Sequence, residues 1–395
     1  MAWVLVLNCG SSSVKFAVID PATGERLMTG LGERVGAADA ALHIKQDGRA
    51  ETLTPDGGSH ADVLRVVLDQ VEGLGVTVSG VGHRVVHGGP DFTASALVDD
   101  AVLAAIEAVT DLAPLHVPAN VAGIEAARDV LPDLPQVAVF DTAFHLTMPP
   151  YAYRYAVPSS WYTEHGVRRY GFHGTSHRYV SAQAAELLGR PLTELRLVTA
   201  HLGNGCSAAA VRDGESVDTT MGLTPLEGLM MGTRSGDVDP GVTGYMADRL
   251  GLDAQGVVKA LNSSSGLLGV SGVSNDMRTV AAAAAEGSTD AQLALDMFCY
   301  RLAKYVAALV VPLGRLDALV FTGGIGEHNP PIRAAVLSHL GFLGLTEDTD
   351  ANAVAGRDTN GRITEPGPVQ AIVVPTDEEL VIARDTADLI PAATP

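Results

Sequence analysis

Three glycine-rich segments hold residues that could handle phosphate. The first runs Asn8, Cys9, Gly10, Ser11, Ser12, Ser13 and is followed closely by Lys15. Such a turn exposes N–H groups and hydroxyls, and a nearby ammonium adds positive charge, the ingredients of a phosphate cradle. It is not a Walker-type GxxxxGK loop, and an ordinary hairpin turn has a similar composition. The second is His201, Leu202, Gly203, Asn204, Gly205, whose Asn-Gly pair is the usual hairpin dipeptide. The third, Phe321 to Glu327, reads FTGGIGE after an apolar run and before Pro330. Backbone N–H groups at a helix start there could meet an adenosine or its phosphates, although a tight strand-to-helix turn explains the glycines nearly as well. No GxGxxG follows the first apolar run, which argues against a dinucleotide fold.

Charged side chains stand close to further glycines. Arg84 lies in GHRVVHGG and Arg234 in MGTRSGD. A guanidinium grips a carboxylate or phosphoryl group through two parallel hydrogen bonds. His173, between Phe172 and Gly174, precedes a helix start and could donate to a transferring phosphoryl group. His173 and His177 have helical spacing but lack the HExxH glutamate of a zinc site. His116 and His145 read as satisfied loop histidines. Asp141 ends the apolar run 137–140, and Glu378 follows another at 371–374. Either carboxylate could orient Mg²⁺, directly or through water. At a helix start, Glu378 has the simpler role of complementing the dipole.

These residues need strands and helices to position them. The opening reads as strand, small polar turn and strand, and a similar unit recurs near mid-chain. Gly10, Ala17, Val18 and Asp20 match Gly203, Ala210, Val211 and Asp213 at a constant spacing of 193 residues. A repeat at half the chain length predicts two similar domains, each opened by a hairpin. Helical periodicity marks residues 62–71, 99–112, 176–188, 289–313 and 377–389. Thr175 and Ser176 read as the cap of the third of these, Ser288 and Thr289 as that of the fourth. Residues 316–322 and 369–374 read as strands covered on both faces. The fold class is therefore α/β with a duplicated layer architecture. The expected domains are residues 1–146 with the C-terminal helix 379–395, and residues 147–378.

Bulk properties restrict the partners. The chain has 395 residues, a formal net charge of −20 and 47% hydrophobic residues. Such acidity opposes binding to nucleic acid or an anionic membrane, so any phosphate site must be local. Cys9, Cys206 and Cys299 show no paired spacing, which fits a reducing cytosol. The start lacks the basic and apolar regions of a secretory leader, and the apolar stretch near Tyr305 is too short to span a bilayer. A cytoplasmic location is expected.

Taken together, the segments LNCGSSSVKF, GHRVVHGG, APLHVPAN, VFDTAFH, RRYGFHGTSH, HLGNG, MGLTPLEGLMMGTRSGDVDPG, NDMR, FTGGIGEH and PTDEELVIARD resemble the acetate kinase family, in family order and across almost the whole chain. The resemblance implies a duplicated actin-like ATPase fold, ribonuclease H-like, with two domains around a nucleotide cleft. It implies reversible, direct in-line transfer from ATP to acetate, with Mg²⁺ or Mn²⁺ and a homodimer. Arg84 and Arg234 would hold the carboxylate and the transferring phosphoryl group, His173 would hydrogen-bond that group, and Asp141 would position substrate, Arg or metal-bound water. Asn8 and Glu378 would lie on the Mg²⁺ side. Lys15 and the loop His201, Leu202, Gly203, Asn204, Gly205 would contact phosphates. Asp276, Met277, Arg278, Gly324, Ile325, Gly326, Glu327 and His328 would line the adenosine site, and Val86, Leu115, Phe172 and Pro225 an apolar methyl pocket.

The chain departs from the usual family pattern at Asp377, where TNEE is common, and at Gly323 and His328, where FTAGIGEN is common. The first adds a carboxylate near the metal, and the others touch the nucleotide loop. A propionate or butyrate kinase would use the same chemistry in a larger pocket. A filament or chaperone module on this scaffold has no need for the set Arg84, His173 and Arg234. A sugar kinase would want a catalytic base and a polar pocket.

Overall fold

The computed structural model describes residues 3–37, 39–46, 48–114 and 116–390. They fall into two compact units. Unit 1 comprises Met1–Phe144 and Asp377–Pro395, and unit 2 comprises His145–Thr376.

Unit 1 is built on eight strands: β1 Trp3–Cys9, β2 Ser13–Ile19, β3 Arg26–Glu33, β4 Ala41–Gln46, β5 Arg49–Leu53, β6 Val78–Val85, β7 Ala96–Leu97 and β8 Gln136–Phe140. Their order is β5-β4-β3-β2-β1-β6-β8-β7. Unit 2 has five: β9 Arg196–Leu202, β10 Cys206–Arg212, β11 Glu215–Thr219, β12 Ala318–Thr322 and β13 Gln370–Val373, in the order β11-β10-β9-β12-β13. Both sheets contain one design. An antiparallel β-meander (β1–β3, β9–β11) is continued, beyond its first strand, by two parallel strands (β6 and β8, β12 and β13). The bounds of β9 and β10 are those of β1 and β2 displaced by 193 residues, the spacing of the sequence repeat.

The turns of the two leading hairpins differ. Cys9 pairs with Val14 in the first, whereas Leu202 pairs with Cys206 in the second, a turn one residue tighter. Each is closed by its glycine: Gly10 N–H donates to the Ser13 carbonyl at 2.8 Å and Gly203 N–H to the Gly205 carbonyl at 3.0 Å.

The central strands are buried along most of their length on both faces, in keeping with their mostly apolar sequences. In unit 1 one core gathers Leu5, Leu7, Phe16 and Val18 with Val63, Leu64 and Val67 of the helix His60–Gly73. The helix Glu378–Leu389 packs on β1, β6 and β8. In unit 2 the helix Gly174–Leu188 packs on β9 and the helix Thr289–Leu313 on β10. Each apolar side chain so buried contributes roughly 1.5–3 kcal/mol.

Two local readings of the sequence need correction. The helix Gly174–Leu188 starts ahead of Thr175 and Ser176, and its N-cap is His173, at φ 57°. The FTGGIGE segment is no simple turn, because Gly323–His328 forms a short helix directly after β12. Gly323 makes the junction: it sits at φ 75°, with the Leu202 carbonyl oxygen 2.8 Å from where a Cβ would lie.

Candidate active site

In unit 1 the sheet brings three strand ends together. Arg84 near the end of β6 meets Asp141 just past β8, and the two pair face to face. Arg84 Nη2 donates to Asp141 Oδ2 at 2.6 Å and Nε to Oδ1 at 3.0 Å. Asp141 is 1% exposed, so the bidentate pair fixes the guanidinium rather than decorating a surface. Glu378, the first residue of the last helix, lies 4.0 Å from Arg84 Nε. The charge of Asp141, opposed by burial and helped by Glu378, raises the Arg84 pKa above its ordinary value. Asn120, buried in the helix Val117–Val130, ties the neighbouring strands: its Oδ1 accepts from Val86 N–H at 3.0 Å and its Nδ2 donates to the Cys9 carbonyl at 2.9 Å. That asparagine holds the end of β1, with half-buried Asn8, in register with the Arg84 strand. It lies inside APLHVPAN but was not singled out from sequence, because a long-range brace leaves no local pattern.

Two further residues in unit 1 engage the last helix. Lys15 is largely exposed, and its ammonium is 2.7 Å from Glu379 Oε1. Asp377 caps that helix by accepting from Leu380 N–H at 3.0 Å. It also pairs with Arg26 at 2.5 Å. Val86 is half-buried, and Leu115 lies outside the described residues.

In unit 2 a second cluster forms around the tight β9–β10 turn. A Cβ placed on Gly205 would lie 3.4 Å from Arg234 Nη1 and 3.5 Å from His173 Nε2. The loop between them is drawn in by Gly232 N–H, which donates to the Asn204 carbonyl at 3.0 Å. Arg234 donates from Nη1 to the Pro225 carbonyl at 3.1 Å and lies 3.7 Å from Met231 Sδ. Among the described residues it pairs with no carboxylate, and burial lowers its pKa. A half-buried guanidinium without a counter-anion beside a small open space is an anion-binding device.

His173 holds the left-handed backbone state seldom adopted by residues other than glycine, a strain that functional sites tolerate. Its ring stacks on His201 with centroids 4.3 Å apart, and its Nδ1 is 2.9 Å from Ser207 Oγ. His201 Nδ1 is 2.8 Å from Ser176 Oγ, which also bonds Thr376. Phe172 is buried, with its carbonyl accepting from His145 Nε2 at 3.0 Å. Burial pushes the His145 pKa down to about 4.

A cavity of about 410 Å³ adjoins this cluster within unit 2. Gly203, Asn204, Asp276, Met277, Arg278, Gly324, Ile325 and His328 line it, with Asn275 and Asn329. Of the expected adenosine-side residues, Gly326 and Glu327 are not among those lining it. Gly326 is buried, and Glu327 accepts from Gly323 N–H at 2.9 Å and Thr376 N–H at 3.1 Å, fastening its own helix. Neither asparagine was singled out from sequence, although Asn275 opens the NDMR segment; it bonds Asn204 Oδ1 at 3.0 Å.

Among the described residues no group of three or more His, Cys, Asp or Glu side chains is arranged to hold a metal, and no helix is long and apolar enough to cross a membrane. Cys9, Cys206 and Cys299 are free thiols, each raised by burial to about 12.

Duplicated sheets, each with a β-meander extended by two parallel strands, define an α/β protein of the actin-like ATPase type. Comparison with known proteins narrows the class. The sequence pattern of the acetokinase family matches residues 3–384. An acetate kinase of Deinococcus deserti is 58% identical over 393 residues, covering 99% of this chain and 98% of that protein. Two crystal structures superpose with a TM-score of 0.93, each covering 99% of this chain and 100% of the other. One is a propionate kinase from Francisella tularensis, 46% identical, and the other an acetate kinase from Porphyromonas gingivalis, 44% identical. The chain belongs to the acetokinase family.

Proposed function

We propose that this protein is an acetate kinase, which transfers the γ-phosphoryl group of ATP reversibly to the carboxylate of acetate. The observation that carries the reading is the Arg234 guanidinium, without a carboxylate partner among the described residues and beside His173 at Gly205. A carboxylate is already a nucleophile, so no strong base is needed. The difficulty is bringing one anion to another, and the answer is alignment with donors aimed at charge on the transferring oxygens. Arg234 and His173 supply those donors. Arg84, fixed by Asp141, holds the acetate carboxylate. Val86, Leu115, Phe172 and Pro225 would surround its methyl group.

The nucleotide reading is supported by the cavity that Asp276, Met277, Arg278, Gly324, Ile325 and His328 help to line. On this reading unit 2 binds nucleotide and unit 1 supplies the acyl-substrate side. The His201–Gly205 loop would meet phosphates through its backbone N–H groups. Mg²⁺ fits the donor set, because it takes one or two carboxylates and leaves its other positions to water and phosphate oxygens. Glu378 and Asn8 would hold it, and when bound it would neutralise nucleotide charge. Glu379 engages Lys15, so Lys15 would reach phosphate only once that pair opens. The proposal extends to a cytoplasmic homodimer.

Trapping the acyl phosphate as a hydroxamate tests the proposal. With MgATP, kcat/KM should rank acetate above propionate and propionate above butyrate; one CH₂ is worth about 1–3 kcal/mol of discrimination. Propionate in first place would make the protein a propionate kinase, and no hydroxamate with any of the three acids would overturn the reading. Direct in-line transfer predicts inversion at a chiral γ-phosphorus, and retention would defeat it.

A further inference from the structure

We propose that Thr199, His177 and Ser207 are positioning residues that set His173 as the neutral imidazole carrying its proton on Nε2. The proposal deepens the role given to His173 above and rests on that reading for its catalytic meaning, though not for the tautomer itself.

The argument begins at a buried hydroxyl. Thr199 on β9 is fully buried, and its Oγ1 lies 2.7 Å from His177 Nδ1. No other partner of that hydroxyl is found among the described residues. A threonine hydroxyl has one proton to give, and burying it without an acceptor is costly. The proton therefore points at His177 Nδ1, which must accept.

His177 is itself fully buried, and burial drives its pKa well below the ordinary histidine value, aided by His145 and His201. A neutral ring with a bare Nδ1 carries its proton on Nε2. That nitrogen is 2.8 Å from Ser207 Oγ, so the serine oxygen accepts there. The serine proton then goes to the other nitrogen in reach, His173 Nδ1 at 2.9 Å. His173 Nδ1 accepts, so its proton resides on Nε2, the nitrogen 3.5 Å from the Cβ position of Gly205.

Running the relay backwards fails at both ends. It would strand the Thr199 proton in the core. It would also leave His173 either with a bare Nε2, useless as a donor to phosphoryl oxygen, or as an imidazolium near the Arg234 guanidinium. His145 repeats the arrangement. Its Nε2 must donate to the Phe172 carbonyl, so its Nδ1, 2.8 Å from Ser216 Oγ, accepts from that hydroxyl. The His145 and His177 rings meet edge-on at 5.6 Å.

The test is a long-range proton–nitrogen NMR correlation of ¹⁵N-histidine protein, with His173 assigned by its loss in His173→Gln. At neutral pH the full-length wild-type protein should show His173 protonated on Nε2 and bare on Nδ1. Thr199→Val should mix the two tautomers and lower kcat about tenfold, the scale of one lost hydrogen bond, while KM for ATP and acetate moves less than about twofold. Thr199→Ser should restore both readouts. A wild-type His173 protonated on Nδ1, or doubly protonated, overturns the proposal, as does an unchanged tautomer in Thr199→Val and Ser207→Ala. Should those variants not fold, the wild-type spectrum decides. Failure of the kinase reading would appear as absent hydroxamate, with the Nε2–H signal intact.

Discussion

The two arginines expected from sequence to serve one reaction are kept in opposite states. Arg84 is committed: both arms of its fork grip Asp141, and Glu378 stands near. Arg234 is uncommitted: among the described residues its side chain bonds a carbonyl oxygen and a thioether. The electrostatics follow, with Arg84 raised by the Asp141 charge and Arg234 lowered by burial. A paired guanidinium is a rigid fixture that can orient a small carboxylate. An unpaired, desolvated one is poised for an arriving anion, and its interaction strengthens as charge develops there. The hairpin turns carry a similar contrast. The longer Gly10 turn of unit 1 is followed by Lys15, which pairs with Glu379, whereas the tighter Gly205 turn of unit 2 leaves a small space flanked by an arginine and a histidine.

This contrast can be broken by substitution. Arg84→Met takes the bidentate guanidinium away from the buried Asp141 carboxylate, and should cost about 3–5 kcal/mol of stability, read as a lower urea midpoint. Arg234→Met removes a charge that no carboxylate among the described residues pairs with, and should leave the midpoint unchanged or raise it. Equal losses from both would erase the distinction. A smaller effect should come from Gly205→Ala. The added methyl meets its neighbours only at 3.4–3.5 Å, so the fold should survive with an unchanged melting temperature. The methyl would nevertheless occupy the space that Arg234 and His173 flank, and kcat/KM for ATP should fall roughly tenfold, about 1.4 kcal/mol of transition-state binding. Unaltered kinetics in Gly205→Ala would move the anion site elsewhere.

Much of the fold could be read in advance because its signals are local. The hairpins announced themselves as apolar runs around glycine-rich turns, and the 193-residue spacing reappears in the strand bounds. The long helix Thr289–Leu313 carried its cap at Ser288. What escaped was either against propensity or long-range. Glycines disfavour a helix, so Gly323–His328 read as a turn, and the left-handed His173 displaced the expected cap. Arg84 and Asp141 were each visible as strand-end residues, but their pairing joins positions 57 residues apart. Ser207 was the hardest to see: a small residue in the alanine-rich strand CSAAAVR, it gains its role only when β10 sets it between two histidines.

The role of Arg234 is decided most directly by the turnover of Arg234→Ala in the hydroxamate assay at saturating MgATP and acetate. Losing one donor to the transferring phosphoryl group should lower kcat by roughly a hundredfold or more, on the order of 3 kcal/mol, in a protein that melts like wild type. Turnover close to wild type in that folded variant would contradict the assignment.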